Sequence, residues 1–194
     1  MKLKERIRLN QTLRILGIDD APFSKRTVEP VLVSGILCSN TRFQGMLRTY
    51  IHKDGMEATQ ALITMISQSK YLDQIHAVLL DGMTLGGFNV VDVPLLAATL
   101  QKPCISVMRR SPNLEAIQEA LQNLSHPEQR WRLFQESGPV HSRTPFFFQC
   151  YQCDPDTAGA LLKYVTLQGH VPEPLRMAHL INSAMILGQS NNKA

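Results

Sequence analysis

Two apolar stretches of this chain each stop abruptly on a carboxylate. Thr12 to Ile18 (TLRILGI) runs into Asp19-Asp20-Ala21-Pro22, and Ile75 to Leu80 (IHAVLL) runs into Asp81-Gly82. One reading is conformational, since acids favour the turns that end strands. The other is chemical: two ionised carboxylates brought close together repel, and each must be protonated or neutralised unless a cation sits between them. Mg²⁺, or Mn²⁺ in its place, suits such hard oxygen donors, and a metal held there activates water for phosphodiester hydrolysis.

Whether these acids meet depends on the elements that carry them. Thr12 to Ile18 reads as a first strand, closed by Pro22. Val31 to Cys38 and Phe43 to Ile51 read as an antiparallel pair turning at Ser39-Asn40-Thr41. Met56 to Ser67 places Ala58, Ala61, Leu62, Met65 and Ile66 on one helical face, and Ile75 to Leu80 is a fourth, buried strand. A helix over Val93 to Leu100 and a fifth strand over Cys104 to Met108 follow. Ser111-Pro112 is the expected start of a helix to about Leu124. His126 to Ser137 looks helical, Phe146 to Gln152 looks like an extra strand, Asp154 caps a helix to about Thr166, and Glu173 to Leu187 forms the last helix.

This order describes an α/β fold with a mixed sheet and helices on both faces. A crossover through Met56 to Ser67 sets strand four beside strand one, giving the order 3-2-1-4-5 of ribonuclease-H-like sheets. Asp19 or Asp20 would then stand beside Asp81 at the carboxyl ends of adjacent parallel strands, where α/β sheets place their ligands.

Composition bounds the rest. The 194 residues suit a single domain, with a core of about 12–188 and a short tail at 189–194. Twenty basic residues against 16 acidic ones leave a net charge of +4, a mild bias towards polyanions. Four cysteines (Cys38, Cys104, Cys150, Cys153) do not suggest a disulfide framework, so a reducing cytoplasm is expected. No apolar run approaches the ~20 residues of a membrane span, and no signal peptide precedes the first strand.

Three longer blocks carry a resemblance. GIDDAPF at 17–23, LLDGMTLGGFNVVD at 79–92 and PEPLRMAHLI at 172–181 resemble the signature blocks of the endonuclease dU family, which is related to endonuclease V. The resemblance runs from about Leu13 to Gly188. It implies an endonuclease-V-like variant of the ribonuclease H fold, a divalent metal, and cleavage of DNA or RNA containing a deaminated base, uracil or hypoxanthine. It also implies that Asp19 and Asp81 are the catalytic and metal-binding aspartates. The intervening glutamate of endonuclease V has no counterpart here, which leaves Asp20, Glu173 or Asp54 to supply the charge.

Secondary candidates each have a plainer alternative. The glycines of the 82–89 loop, Gly82 and Gly87 among them, let a backbone approach a phosphate or base, with Phe88 as a stacking platform and Asn89 as a base ligand. Equally, the loop is a packed turn, and Asp92 is an N-cap. Arg176 and His179, three apart on the last helix, could meet an anionic substrate, or His179 could be a hydrogen-bonded core residue. Glu173 is also a favourable first-turn acid. Cys150 and Cys153 have zinc-like spacing without a second pair. Met108-Arg109-Arg110, Lys25-Arg26, Arg130 and Arg132 could rim a phosphate site or simply be solvated charge, and Trp131 could stack on a base or pack.

The leading expectation is a Mg²⁺-dependent endonuclease. Alternatives are a non-catalytic nucleic-acid or nucleotide-binding protein on the same fold and a small-molecule phosphohydrolase. A homodimer is compatible with any of them.

Overall fold

The computed structural model describes residues 2–24, 26 and 28–190. In chain order the elements are α1 (Leu3–Arg8), β1 (Arg14–Asp20), β2 (Val31–Ser39), β3 (Arg42–Ile51), α2 (Ala58–Ser67), β4 (Ala77–Asp81), β5 (Thr84–Leu85) and β6 (Asn89–Val90). There follow α3 (Val93–Leu100), β7 (Cys104–Met108), α4 (Leu114–Leu121), α5 (Pro127–Glu136), β8 (His141–Arg143), β9 (Phe146–Tyr151), α6 (Pro155–Tyr164) and α7 (Glu173–Leu187).

The main sheet has seven strands in the order β3-β2-β1-β4-β7-β9-β8. Only β1, β4 and β7 run parallel to one another; the other pairings are antiparallel. The expected 3-2-1-4-5 order therefore holds for its five strands, with β7 as the fifth. Phe146–Tyr151 extends that edge, as an extra strand should. The short β8 beyond it was not foreseen, because three residues with two exposed give no periodic signal.

Alternation along the central strands explains why helices cover both faces. Leu16, Ile18, Val78 and Leu80 point into one apolar cluster with Leu62 and Ile66 of α2 and Leu96 and Leu100 of α3. Their neighbours Ile15, Ala77 and Leu79 point the other way, onto Leu161 and Leu162 of α6 and Leu175 of α7. Strands buried on both faces read as continuous apolar runs, which is how these segments are written. The last helix lies over β1 and β2 on that second face.

Its approach to β1 is possible because residue 17 is glycine. A Cβ there would stand 2.6 Å from Cβ of Pro174 and 2.7 Å from the backbone nitrogen of Leu175. That close contact brings the first turn of α7 down onto β1 two residues before Asp19.

Two local features differ from expectation. Leu3 to Arg8 forms a helical turn and a half that the basic sequence did not announce; Leu3 and Ile7, four apart, pack onto the α6 side. The helix expected to open at Ser111-Pro112 starts instead at Leu114, where Asn113 accepts a hydrogen bond from the Ala116 N–H at 3.1 Å. Of the tail, Ser190 donates to the Leu180 carbonyl at 3.1 Å, and 191–194 lie outside the described residues. Among the described residues no helix is long and apolar enough to cross a membrane.

Candidate active site

The parallel register decides the geometry. Ile18 pairs with Leu80, so Asp19 and Asp81 occupy the next step on adjacent strands, about 4.8 Å apart in the pairing direction. Equal register also sends their side chains to the same face, the one covered by α7. The two acids, more than sixty positions apart in the chain, thus end neighbouring strands at one edge.

Asp19 is nearly sealed, at 4 % exposed. Its Oδ1 accepts the Asp20 N–H at 2.9 Å, and its Oδ2 stands 3.2 Å from Nδ1 of His179. Asn182, one turn further along α7, donates from Nδ2 to the Asp19 carbonyl at 2.9 Å. Burial, followed by the negative charges of Asp81 and Asp20, pushes the Asp19 carboxyl up to about 8. Burial also raises Asp81, against the pull of Arg109, whose guanidinium lies 4.0 Å away, and of His179. Both carboxylates are therefore held in a state that a cation would relieve.

The two other expected metal ligands are differently employed. Asp20 is raised by burial and adds a third negative charge at the strand end, but its Oδ2 accepts the Gly86 N–H at 3.0 Å and so anchors the neighbouring hairpin. Glu173 does not join the pair. It is 1 % exposed, and Arg176 forks onto it, with Nε 3.0 Å from each carboxylate oxygen and a second nitrogen at 2.8 Å. It lies six residues before His179, about 9 Å along the helix axis; burial, with a smaller part from the Glu173 charge, pushes the Cys38 thiol on β2 up to about 11. Arg176 is thereby also committed to Glu173. Asp54 accepts the Phe88 N–H at 2.8 Å instead of facing the pair. Among the described residues no three His, Cys, Asp or Glu side chains are gathered so as to hold a metal ion. The donor set that does converge, two hard carboxylates with strained ionisation, suits Mg²⁺, which retains several waters and needs few protein ligands.

The glycine loop is a small hairpin, β5 paired with β6, standing beside the carboxylates. Gly82, Gly86 and Gly87 all have positive φ, a conformation open to glycine at little cost. Phe88 is half-buried at its tip and lines a cavity of about 230 Å³ with Met83, Met108, Arg110 and Phe134. Asn89 is not available to a ligand: fully buried, it accepts the Ala58 N–H at 2.9 Å at the start of α2 and donates to the His52 carbonyl at 3.2 Å. Asp92 caps α3, accepting the Leu95 N–H at 2.8 Å, as expected of an N-cap.

Arg130 is likewise a correction. It is fully buried and not part of a rim; its guanidinium donates to the carbonyls of Ser125 (2.8 Å), Gly55 (2.9 Å), Asp54 and Phe88. It ties α5 to the hairpin. Arg132 is exposed and paired with Glu136 at 2.7 Å, while Trp131 packs near Phe134 with ring centroids 6.5 Å apart. Lys25 lies outside the described residues. Cys150 and Cys153 are free thiols, and Cys150 donates weakly to the Cys153 carbonyl at 3.5 Å. Two site residues escaped the sequence reading: Asn182, three after His179 and so on the same helical face, and Arg109 as the partner of Asp81.

Comparison with known proteins gives a consistent picture. The sequence profile of the family described as endonuclease dU matches residues 11–186. A UPF0215 protein of Methanothermobacter thermautotrophicus is 39% identical over 191 residues, covering 96% of this chain and 94% of its own. A solved structure of a protein of unknown function from Archaeoglobus fulgidus is 36% identical, with a TM-score of 0.84 over 89% of this chain and 98% of that one. Endonuclease V of Ciona intestinalis, solved with a 24mer DNA containing an inosine followed by a ribo-adenosine, superimposes with a TM-score of 0.61 at 18% identity, over 93% of this chain and 88% of that one. Human endonuclease V gives 0.65 at 14% identity, over 97% and 90%. These last two share the ribonuclease-H-like fold with this chain.

Proposed function

The chain belongs to the endonuclease dU family, and from that premise we propose that it is a cytoplasmic, metal-dependent endonuclease hydrolysing phosphodiester bonds in nucleic acid that carries a deaminated base, uracil or hypoxanthine. The observation that carries this reading is the placement of Asp19 and Asp81 at the carboxyl ends of paired parallel strands. Asp19 and Asp81 would hold Mg²⁺ or Mn²⁺. When bound, the ion neutralises the pair, lowers the pKa of water and stabilises charge on a phosphoryl group.

The chain's own residues do the positioning. His179 and Asn182 fix Asp19 through its carboxylate and its carbonyl, so that one face of α7 sets the orientation of the more buried acid. Arg109, beside Asp81, brings a guanidinium to the edge where a substrate phosphate would lie. The hairpin of Gly82 to Phe88, anchored by Asp20 and by Arg130, offers backbone and an aromatic ring above an apolar hollow into which a base displaced from its stack would fit.

The test is cleavage of uracil- and inosine-containing DNA and RNA with Mg²⁺ supplied. The parent cuts at least one of these, and Asp81→Ala does not; a parent that cuts none, or a variant that cuts as well, removes the proposal. Because no third acidic ligand joins the pair among the described residues, a non-catalytic nucleic-acid-binding role is the second reading. Salt-dependent binding that is indifferent to divalent cations would favour it.

A further inference from the structure

A sizeable cavity lies at the opposite end of the sheet from the carboxylates. It has a volume of about 630 Å³ and opens where β4 and β7 begin. Its walls are α1 with the residue before it, the turn after α3, and the segment between β9 and α6. His76, on its floor, is five residues before Asp81, which at strand rise separates the two sites by about 16 Å.

Four cations against one carboxylate give it a positive excess. Lys2, Lys4, Arg6 and Lys102 line it, and among the described residues none of these four has a carboxylate within ion-pairing distance. The one carboxylate in the lining, Asp154, caps α6 and keeps its charge: its Oδ1 accepts the Thr157 N–H at 2.9 Å and its Oδ2 the Thr157 hydroxyl at 2.7 Å, and these bonds, with a smaller pull from Lys4, hold its carboxyl below the usual range. The field of these cations reaches His76. Burial first, then Arg6, Arg14 and Lys102, push its imidazole down to about 4. Nδ1 of His76 accepts the Arg14 N–H at 2.9 Å, so the neutral ring carries its proton on Nε2 and keeps that donor for another acceptor. Leu3 and Ile75, both nearly buried in the core, form the apolar part of the lining.

We propose that this cavity is a binding site for a small molecule bearing a diphosphate or triphosphate group. Cations supplied by two separate elements, α1 with the residue before it and the turn after α3, call for more than one anionic group, and a single monoanion would satisfy only one of them. The volume falls within the range of small-molecule pockets, roughly 300–1,000 Å³. The site uses no residue of the carboxylate edge, so it stands or falls independently of the nuclease reading.

The experiment is isothermal titration of inorganic pyrophosphate into the full chain, with EDTA present to silence any divalent cation at the carboxylates. The parent shows saturable one-to-one binding, and the His76 ring resonances shift in NMR as the ligand is added. The double variant Arg6→Gln, Lys102→Gln loses about tenfold or more in affinity while keeping the parent's melting temperature. The matched variant Arg42→Gln, Arg48→Gln, which removes two exposed cations from β3 at the far sheet edge, binds as the parent does. Absence of saturable binding, an equal loss in both double variants, or unmoved His76 resonances would overturn the proposal. So would a single-stranded oligonucleotide that depends on Arg6 and Lys102 and is not displaced by pyrophosphate, since the cations would then serve a nucleic-acid backbone.

Discussion

Replacing Gly17 by alanine should damage stability and the candidate site together. The added methyl would meet Cβ of Pro174 at 2.6 Å and the Leu175 nitrogen at 2.7 Å, where ordinary contact is 3.4–4 Å. Relieving this means lifting the first turn of α7 by about 1 Å, because the obstructing atoms belong to backbone and a proline ring and cannot rotate away. Overpacking of a buried contact costs about 1–3 kcal/mol, and the immobility of these atoms puts Gly17→Ala at the upper end, about 3 kcal/mol. For a domain of this size that lowers the melting temperature by roughly 6–12 °C. Gly45→Ala is the internal control. Its methyl would crowd the Tyr71 ring, with Cζ at 2.8 Å, but the far end of a side chain can swing aside, and about 1 kcal/mol or less is expected. Urea denaturation followed by circular dichroism reads both values, with unchanged m-values. Because His179 and Asn182 ride on α7, Gly17→Ala should also lower any Asp19-dependent activity in the folded protein, whereas Gly45→Ala should not. A Gly17→Ala protein within 0.5 kcal/mol of the parent, or no less stable than Gly45→Ala, would refute the reasoning that this glycine seats the helix.

Other perturbations follow from the same geometry. Asp19→Asn should stabilise the metal-free protein near neutral pH while abolishing cleavage. The Asp19 carboxyl rises from 3.8 to about 8 on folding, so its contribution is favourable below pH 4 and is lost as pH climbs towards 8. Removing the charge should recover roughly 2–4 kcal/mol in thermal or urea unfolding at pH 7.5, after allowance for its coupling to Asp81. His76 works in the opposite direction. Its pKa falls from 6.5 to about 4 on folding, so stability is full above pH 6.5 and declines as pH drops towards 4, by about 1–2 kcal/mol once solvent screening of the half-buried ring is allowed for. His76→Asn, which keeps an acceptor for the Arg14 N–H, should flatten that acid limb in a pH series of denaturation midpoints. Arg130→Met leaves the carbonyls of Ser125, Gly55, Asp54 and Phe88 without their donor, costing about 3 kcal/mol or more, and hydrogen exchange should quicken across residues 84–90 ahead of the rest of the sheet. Uniform acceleration across the sheet would show that Arg130 does not hold the hairpin in particular.

Periodicity and punctuation made the central layer legible. Val31 to Cys38 and Ile75 to Leu80 are continuous apolar runs because both faces of their strands are buried, and helix α7 begins and ends where its prolines and Gly188 say it should. The meeting of Asp19 and Asp81 could be inferred because a strand order fixes which ends are neighbours. What the sequence hides is the use to which a polar side chain is put. Asn89 and Arg130 sit in segments that look exposed, yet both are buried and hold backbone groups from 31 to 76 residues away, a role no local pattern reveals. Glu173 looked like a spare carboxylate, but the arginine that claims it is only three residues on, and i,i+3 pairing was the available signal. The helix start at Asn113 instead of Ser111 shows one acceptor displacing another two positions away, which side-chain type alone does not decide.

The proposed chemistry requires Asp19 and Asp81 to share a cation. Anomalous diffraction from Mn²⁺-soaked crystals tests that directly. A single strong peak within about 2.0–2.3 Å of oxygens from both carboxylates, lost in Asp81→Asn crystals soaked the same way, is the expected result. A map empty at that edge, or a peak that touches only one of the two acids and survives the substitution, would contradict it.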